Sequence, residues 1–389
     1  MENNISIIVG IDASRNRSGG AIAHLNGILT SIDPRVYGVK EVHVWAYKSL
    51  IDSITDFPWL EKHAPAVLEK SLLRQIWWQY KKLPKEAREY GCDILFNTDA
   101  GSVCPFKPAV TLSQDLLSYE PLEMRRYGLS KAKLRLEALR FIQSHSMLNA
   151  NGVIFLTKYA AKVVQDTIGI LNNSSIIPHG VGDNFRLDIS DIDSKQWPFE
   201  PSRGIHALYV SNAEMYKHQW HVINAVGQIR KKGINISLLL VGGGRGRPQK
   251  LIDREISNTD PKMEFIQQRP FVAHDTIPEL LKDADLFVFA SSCETIGITL
   301  LEAMAAGLPI ACSDRGPMPE VLQDGGVYFN PENSSSIADA VAKIIKDQEL
   351  RIRIAKRAKE LSGQYTWKRC ADETWKFIAE VAKKTKNSL

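Results

Sequence analysis

The stretch that decides the fold is Ala290-Ser-Ser-Cys-Glu294-Thr-Ile-Gly297-Ile-Thr-Leu-Leu-Glu302-Ala-Met-Ala-Ala-Gly-Leu-Pro309. The apolar run Leu286-Phe-Val-Phe289 precedes it and reads as a short buried strand. Within the stretch Ile298, Leu301 and Met304 recur at helical spacing, and Gly307-Leu308-Pro309 is a helix stop. Glu294 therefore falls in a strand-to-helix turn, Gly297 near the first helical residue, and Glu302 two turns in. Such a junction offers backbone N–H groups and a positive dipole end to an anion. A glycine there lets a ligand approach the backbone, and ionised carboxylates, being pure acceptors, suit the hydroxyls of a sugar carried on that anion. The same spacing also fits a plain strand–loop–helix unit with Glu302 as a salt-bridge partner, and on spacing alone both readings stand.

Working outward, the chain has 389 residues, more than one core usually organises, so two domains are expected. Its 44% hydrophobic and 24% charged residues are ordinary for a globular protein. No apolar run approaches the roughly 18–20 residues that span a bilayer. The start, Met1-Glu-Asn-Asn-Ile-Ser, lacks the basic region of a signal peptide. Cys92, Cys104, Cys293, Cys312 and Cys370 are scattered without a C-x-x-C pair, which speaks for a reducing cytoplasm and against a disulfide framework or zinc site. A formal charge of +5 is compatible with an acidic substrate or with the anionic inner face of a membrane, and too small to indicate nucleic acid.

Strands alternate with helices along the whole chain, the plan of parallel sheets. Ile5 to Ile11 reads as a central strand. It feeds a loop with Arg15, Arg17 and the pair Gly19-Gly20, after which Ile22, Leu25, Ile28 and Leu29 form a helical stripe. This is a second anion-friendly junction or a simple turn; it lacks the third glycine of the dinucleotide fingerprint. Val42 to Trp45 is the next strand. Residues 59–90 read as one long amphipathic segment with Leu68, Leu72, Ile76 and Tyr80 on one face and Arg74, Lys81, Lys82 and Lys85 elsewhere. Trp77-Trp78 beside that basic cluster fits a membrane-interface element, though a helix covering the sheet is the commoner meaning.

Strands follow at 93–97 and 109–112, the second ending at Gln114-Asp115; then comes a basic helix, 131–150, whose apolar stripe takes in His145 as a core histidine. Strand 151–156, helix 159–168 and strand 176–177 complete the first half. Pro178-His-Gly-Val-Gly182 and the irregular composition to about Gly204 mark a boundary. The second half restarts with strand 206–210, a loop with Asn212 and Lys217, helix 220–231 and strand 236–241. The run Gly242-Gly-Gly-Arg245-Gly then departs from G-x-G-x-x-G. Strand 263–266, helix 276–282, strands 310–312 and 327–329, helix 336–346 and a basic terminal helix, 366–384, follow.

Glu294, Gly297 and Glu302, with Ala303-Met-Ala-Ala-Gly-Leu-Pro-Ile310, resemble the donor-site signature of retaining glycosyltransferases of the GT-B fold, in particular glycosyltransferase family four. The resemblance is strong from about Tyr209 to Phe329 and weaker across the first half. It implies an α/β chain of two Rossmann-like domains whose parallel sheets face a central cleft. Residues 1–180 would form the acceptor-side domain, 181–365 the nucleotide-sugar domain, and 366–389 a helix returning to the first. The implied reaction moves a sugar, with retention, from a nucleotide diphosphate donor to a hydroxyl of a glycan or lipid-linked acceptor, as in surface polysaccharide or lipopolysaccharide synthesis. No covalent enzyme intermediate, cofactor or metal is expected. Carried over by position, Lys217 clamps the diphosphate, Glu294 orients the sugar and Glu302 the ribose. Ile296 and Ile298 flank Gly297 in the donor turn, and the Arg269–Ala273 turn with Phe271 meets the nucleobase. Gly19 and Gly20 face the donor phosphate and acceptor, and Asp115 lies on the acceptor side. Two positions depart from the family. Gln114 stands where a histidine is usual, and Asn212 where many members have an arginine, for which Arg245 is the candidate replacement. A nucleotide-sugar epimerase or hydrolase of the same architecture, and a non-catalytic nucleotide-sugar-binding protein, are the alternatives.

Overall fold

The computed structural model describes residues 6–17, 19–187 and 204–387. The chain divides into two compact units: Met1–Met124 with Gly128–Gly180 and Thr366–Leu389, and Val181–Tyr365 with Arg125–Tyr127. None of the described helices is long and apolar enough to cross a membrane.

The first unit runs β1 (Ile7–Asp12), α1 (Gly19–Thr30), β2 (Val39–Trp45), α2 (Lys48–Ser53), β3 (Leu60–His63), α3 (Leu72–Lys81), α4 (Leu83–Glu89), β4 (Ile94–Asn97), β5 (Ala109–Ser113), α5 (Pro121–Arg125), α6 (Lys131–Asn149), β6 (Gly152–Phe155), α7 (Lys158–Ile168) and β7 (Ser174–Ile176). Its strands lie in the order β3-β2-β1-β4-β5-β6-β7, every neighbouring pair parallel. Ile7, Val9, Ile11, Leu95 and Phe96 are fully buried. That follows from helices covering both faces, which demands near-continuous apolar strands.

The second unit runs β8 (Ile205–Val210), α8 (Gln219–Lys231), β9 (Ile236–Val241), α9 (Arg247–Thr259), β10 (Ile266–Arg269), α10 (Ile277–Asp283), β11 (Leu286–Phe289), α11 (Ile298–Ala305), β12 (Ile310–Ser313), α12 (Met318–Leu322), β13 (Val327–Phe329), α13 (Ser334–Lys346) and α14 (Gln348–Ser362). Its sheet is β10-β9-β8-β11-β12-β13, again all parallel. The last helix, α15 (Trp367–Lys386), belongs to the first unit and packs on α1. The Trp375 indole N–H donates to the carbonyl of Ile28 at 2.9 Å, and Tyr37 bonds Asp372. The architecture is thus the expected pair of Rossmann-like sheets with a C-terminal helix returning to the first.

In each sheet the chain first builds outward on one side and then crosses to the other, so the direction reverses once. The reversals fall between β1 and β4 and between β8 and β11. In open parallel sheets the crevice at the carboxyl ends of those two strands is the place for a ligand.

Several local expectations are corrected. Residues 59–90 are not one amphipathic segment. Leu60–His63 pairs with β2 as the sheet's edge, and Pro84 starts a second helix, since a proline fits a first turn and breaks an interior. Nor do Leu72 and Tyr80 share the buried face of Leu68: both are exposed, while Trp78 and Gln79 are buried. The Glu86 carboxylate decides this rotation by accepting the indole N–H of Trp78 on one oxygen and of Trp45 on the other, each at 3.0 Å. His145 is exposed rather than a core residue. Residues 263–266 are mostly turn, and the strand begins at Ile266. The Asp260 carboxylate accepts the N–H groups of Glu264, Phe265 and Ile266, fixing the bend that leads into the strand. Helices α9 and α14 lie where no helix was read.

Replacing Glu86 by alanine would orphan two buried indole N–H groups. An unmet buried donor costs about 1–3 kcal/mol, so the urea midpoint of Glu86→Ala is expected to fall clearly, with Glu86→Gln between it and wild type. A wild-type midpoint for the alanine variant would show that the two indoles do not depend on this carboxylate.

Candidate active site

The loop after β8 and the loop after β11 meet at the second unit's reversal point. The Ser292 N–H donates to the Tyr216 carbonyl at 2.8 Å, and the Ser292 hydroxyl lies 2.9 Å from Nε2 of His218. His218 is fully buried, adopts a left-handed conformation (φ 52°) and caps the start of α8. Burial holds its imidazole neutral, its pKa lowered to about 3. Below it the Tyr209 hydroxyl donates to the Lys217 carbonyl at 2.6 Å. With the two loops fixed this way, Lys217 Nζ and Glu294 form an ion pair across 77 positions of sequence, their side chains only 13% and 16% exposed. The ammonium also lies 5.8 Å from the centroid of the Phe289 ring and 5.2 Å from that of Tyr216.

Beside this pair, Gly297 caps α11 with φ 82°, and no side chain caps that helix end. A positive φ of this size strains any residue with a Cβ. A Cβ there would also press on the Phe289 ring at 3.3 Å. The helix mouth therefore keeps its dipole end and leading N–H groups for a ligand. Ile296 is buried beneath the turn and Ile298 half-buried on it. One turn further in, buried Glu302 meets a residue that the sequence reading missed: Nε2 of His274 lies 3.0 Å from its Oε1. Burial pushes the Glu302 carboxyl up, with the His274 bond opposing; that same bond, ahead of burial, raises His274 above its usual range. Phe185 stands against the imidazole at 5.5 Å between centroids.

Asn212 and Arg245 are both exposed, Arg245 in the β9–α9 loop. The glycine run before Arg245 is required by packing. A Cβ on Gly242, at φ 109°, would sit 2.2 Å from the Ser211 carbonyl oxygen, and one on Gly244 2.6 Å from that of Ala213. These glycines bring the β9 loop against the loop that carries Lys217, and the Ala213 N–H donates to the Gly243 carbonyl at 3.1 Å. Phe271 is 84% exposed on the turn after β10. A cavity lined by His206, Arg230, Asn235 and Phe265 opens elsewhere on this unit. It lies toward the amino ends of β8 and β9, opposite the end where parallel sheets bind ligands, and carries none of these groups.

In the first unit, Gly19 and Gly20 open α1, and nothing lies within 4 Å of where a Gly19 Cβ would stand, so packing does not demand glycine there. Arg15 reaches Asp99 at 3.6 Å. The Arg17 guanidinium donates to the Leu68 carbonyl at 2.9 Å and stacks over Tyr47. Gln114 donates to the Thr98 carbonyl at 2.7 Å, and the Asp115 carboxylate accepts the Leu117 N–H at 3.0 Å. Loss of hydration pushes the carboxyls of Asp99 and Asp115 up. Among the described residues no group of three or more His, Cys, Asp or Glu is arranged to hold a metal ion.

These two sheets with ligand-facing reversal points define the chain as a GT-B fold. Residues 191–361 match the family model described as Glycosyl transferases group 1. The O-antigen chain mannosyltransferase B of Escherichia coli is 23% identical over 256 residues, 66% of this chain and 65% of that enzyme. The chain spans about half the length of two further curated relatives, the alpha-D-kanosaminyltransferase of Streptomyces kanamyceticus (28% identical over 179 residues) and the N-acetyl-alpha-D-glucosaminyl L-malate synthase of Bacillus anthracis (29% over 178), each matched over 45% of its own length. Among solved structures, the sucrose-phosphate synthase of Thermosynechococcus elongatus superposes with a TM-score of 0.75 at 16% identity, over 98% of this chain and 100% of that one. HepE of Anabaena, solved in complex with UDP-glucose, does so at 0.68 and 18%, over 98% and 100%.

Because His274 gains a carboxylate partner on folding, its contribution to stability is complete below about pH 6.5 and is lost as pH rises through its raised pKa. The ring protons of His274, followed by nuclear magnetic resonance, are expected to titrate with a midpoint above 6.5, and Glu302→Gln to lower that midpoint. A midpoint at or below 6.5 in the native protein would mean that the pair does not persist in solution.

Proposed function

We propose that this protein is a retaining glycosyltransferase that moves a hexosyl or deoxyhexosyl group from a nucleotide diphosphate sugar to a hydroxyl of a glycan or lipid-linked acceptor. The observation that carries the reading is the Lys217–Glu294 pair beside the uncapped mouth of α11 at the β8/β11 reversal. The demanding event in such a transfer is departure of a nucleoside diphosphate from an oxocarbenium-like centre, with negative charge growing on the leaving phosphates. Lys217 supplies a compact cation with three donors, and the helix mouth at Gly297 adds a fixed positive dipole end. Both precede the reaction, so no reorganisation is needed as charge develops. The diphosphate's charge is met by these groups without a metal or cofactor.

Without ligand, Glu294 neutralises Lys217. When phosphates take the ammonium, the carboxylate is left as an acceptor for hydroxyls of the transferring sugar. Glu302 plays the same part for the ribose, with Ile296, Ile298 and the turn at Phe271 bounding the nucleotide and Asn212 standing where a second cation is usual. Arg245 is the candidate replacement. Gly19, Gly20 and Asp115 form the acceptor-side candidates. The O-antigen mannosyltransferase relative and the UDP-glucose-bound neighbour support a nucleotide-sugar donor and surface-polysaccharide or lipopolysaccharide synthesis as the setting, for which the scattered, unpaired cysteines suit the cytoplasm.

Lys217→Ala is expected to lower kcat by roughly 100–1,000-fold, the cost of about 2.7–4 kcal/mol for losing one preorganised charge-stabilising donor, with the thermal midpoint little changed. Glu294→Gln should be comparably impaired. Wild-type turnover in both variants would remove these assignments. Donor class is read by thermal shift with UDP-, GDP- and ADP-sugars against the bare nucleotides, since a ligand that binds only the native state raises the melting temperature. A resonance time course then separates transfer, which needs acceptor, from epimerisation or hydrolysis, which do not.

A further inference from the structure

We propose that the outward face of the α3–α6 layer in the first unit docks on an anionic lipid bilayer. On α6, Leu134 (73% exposed), Phe141 (74%) and Leu148 (55%) stand at intervals of seven, and exposed Ala138 and His145 fill the same stripe. Seven residues are nearly two full turns, so these side chains form one apolar line along the helix. The inner side buries Gln143 and Met147, with Gln143 accepting from Ser118 at 2.7 Å. The line is therefore surplus to the fold. Fully exposed Leu129 (103%) extends it toward the helix's amino end.

α3 repeats the pattern with Leu72 (61%), Leu73 (79%), Trp77 (54%) and Tyr80 (49%) exposed. The crossovers from β3 to β4 and from β5 to β6 advance across the sheet in the same direction. Parallel crossovers are right-handed, so α3 and α6 cover the same face and present their outer sides together. Two exposed apolar ridges in one layer leave seven large apolar side chains to water, and exposed apolar surface rimmed by polar residues marks an interaction site.

Charge selects the occupant. Lys131, Lys133, Arg135 and Arg140 flank the α6 line; its one carboxylate, Glu137, is neutralised by Arg140 at 2.5 Å. Arg74, Lys81, Lys82 and Lys85 serve α3 and α4, against one exposed carboxylate there, Glu89. Lys81 and Lys82 lie over the exposed rings of Tyr80 and Trp77, at 4.8 and 5.9 Å. Apolar and aromatic side chains rimmed by lysine and arginine are the composition of an interfacial anchor: the rings enter the headgroup boundary while the cations meet lipid phosphates. A protein partner or a second copy would gain little from so one-sided a charge. The inference does not rest on the reaction proposed above.

The test is co-sedimentation of the full chain with vesicles of phosphatidylglycerol and phosphatidylcholine, and with phosphatidylcholine alone, at low and high salt. Binding to the anionic vesicles that weakens with salt is expected. The triple variant Leu134→Glu, Phe141→Glu, Leu148→Glu should reduce the bound fraction at least about tenfold, since each loses the burial of a large apolar side chain. A second variant, Lys131→Gln, Lys133→Gln, Arg135→Gln, which leaves the apolar line intact, should lose the preference for anionic lipid, so the proposal stays testable if the first variant misfolds. No binding at low salt, or binding indifferent to both variants, overturns the proposal. A wild-type dimer that the glutamate variant disperses, with no lipid binding, overturns it too and assigns the face to a second copy.

Discussion

One interlock underlies everything at the proposed donor end of this molecule: the loops after β8 and β11 are tied together through Ser292, which engages both the carbonyl of Tyr216 and the imidazole of His218. Neither bond involves a group that would do chemistry. Their effect is to bring an ammonium and a carboxylate, distant in sequence, into a nearly dry contact. Burying either charge alone would be costly, and breaking a buried pair leaves the partner uncompensated. The pair therefore holds its place as a unit. The left-handed turn at His218 and the positive φ at Gly297 are the local strains that this arrangement accepts.

The two reversal points use the same topology for different surfaces. In the first unit, the Asp12 carboxylate accepts bonds from Ser14, Gln79 and Ser102 and is buried. That network satisfies itself and stiffens the carboxyl end of β1. The second unit instead leaves a helix mouth without a side-chain cap and surrounds it with one cation and two carboxylates, Glu294 and Glu302.

His274 illustrates how a site acquires members that no motif names. It lies in a short turn before α10, 28 residues from Glu302, and its neighbours give no periodic or spacing signal. Only the folding of that turn against α11 turns the imidazole into a partner for a buried carboxylate. A polar residue directly after the exposed Arg269–Ala273 turn was the faint sequence hint. His218 and Ser292 were equally silent, because a buried histidine and a loop serine are ordinary until their mutual contact is known.

What the sequence determined alone was whatever depends on near neighbours. Continuous apolar runs marked the central strands, helical spacing with a Gly-Leu-Pro stop marked α11, and alternation of the two announced parallel sheets. Glu294, Gly297 and Glu302 were visible because one short segment carries all three, and Lys217 because it follows a legible strand. The tertiary structure decided what depends on distant residues. Glu86, reaching back to Trp45, chose which side of α3 faces inward, Asp260 fixed the bend that leads into β10, and the α6 stripe with His145 turned outward although its spacing would suit a core. Periodicity reports that a face is apolar; whether that face meets a sheet or solvent is set by what packs beside it, and that partner lies tens of residues away.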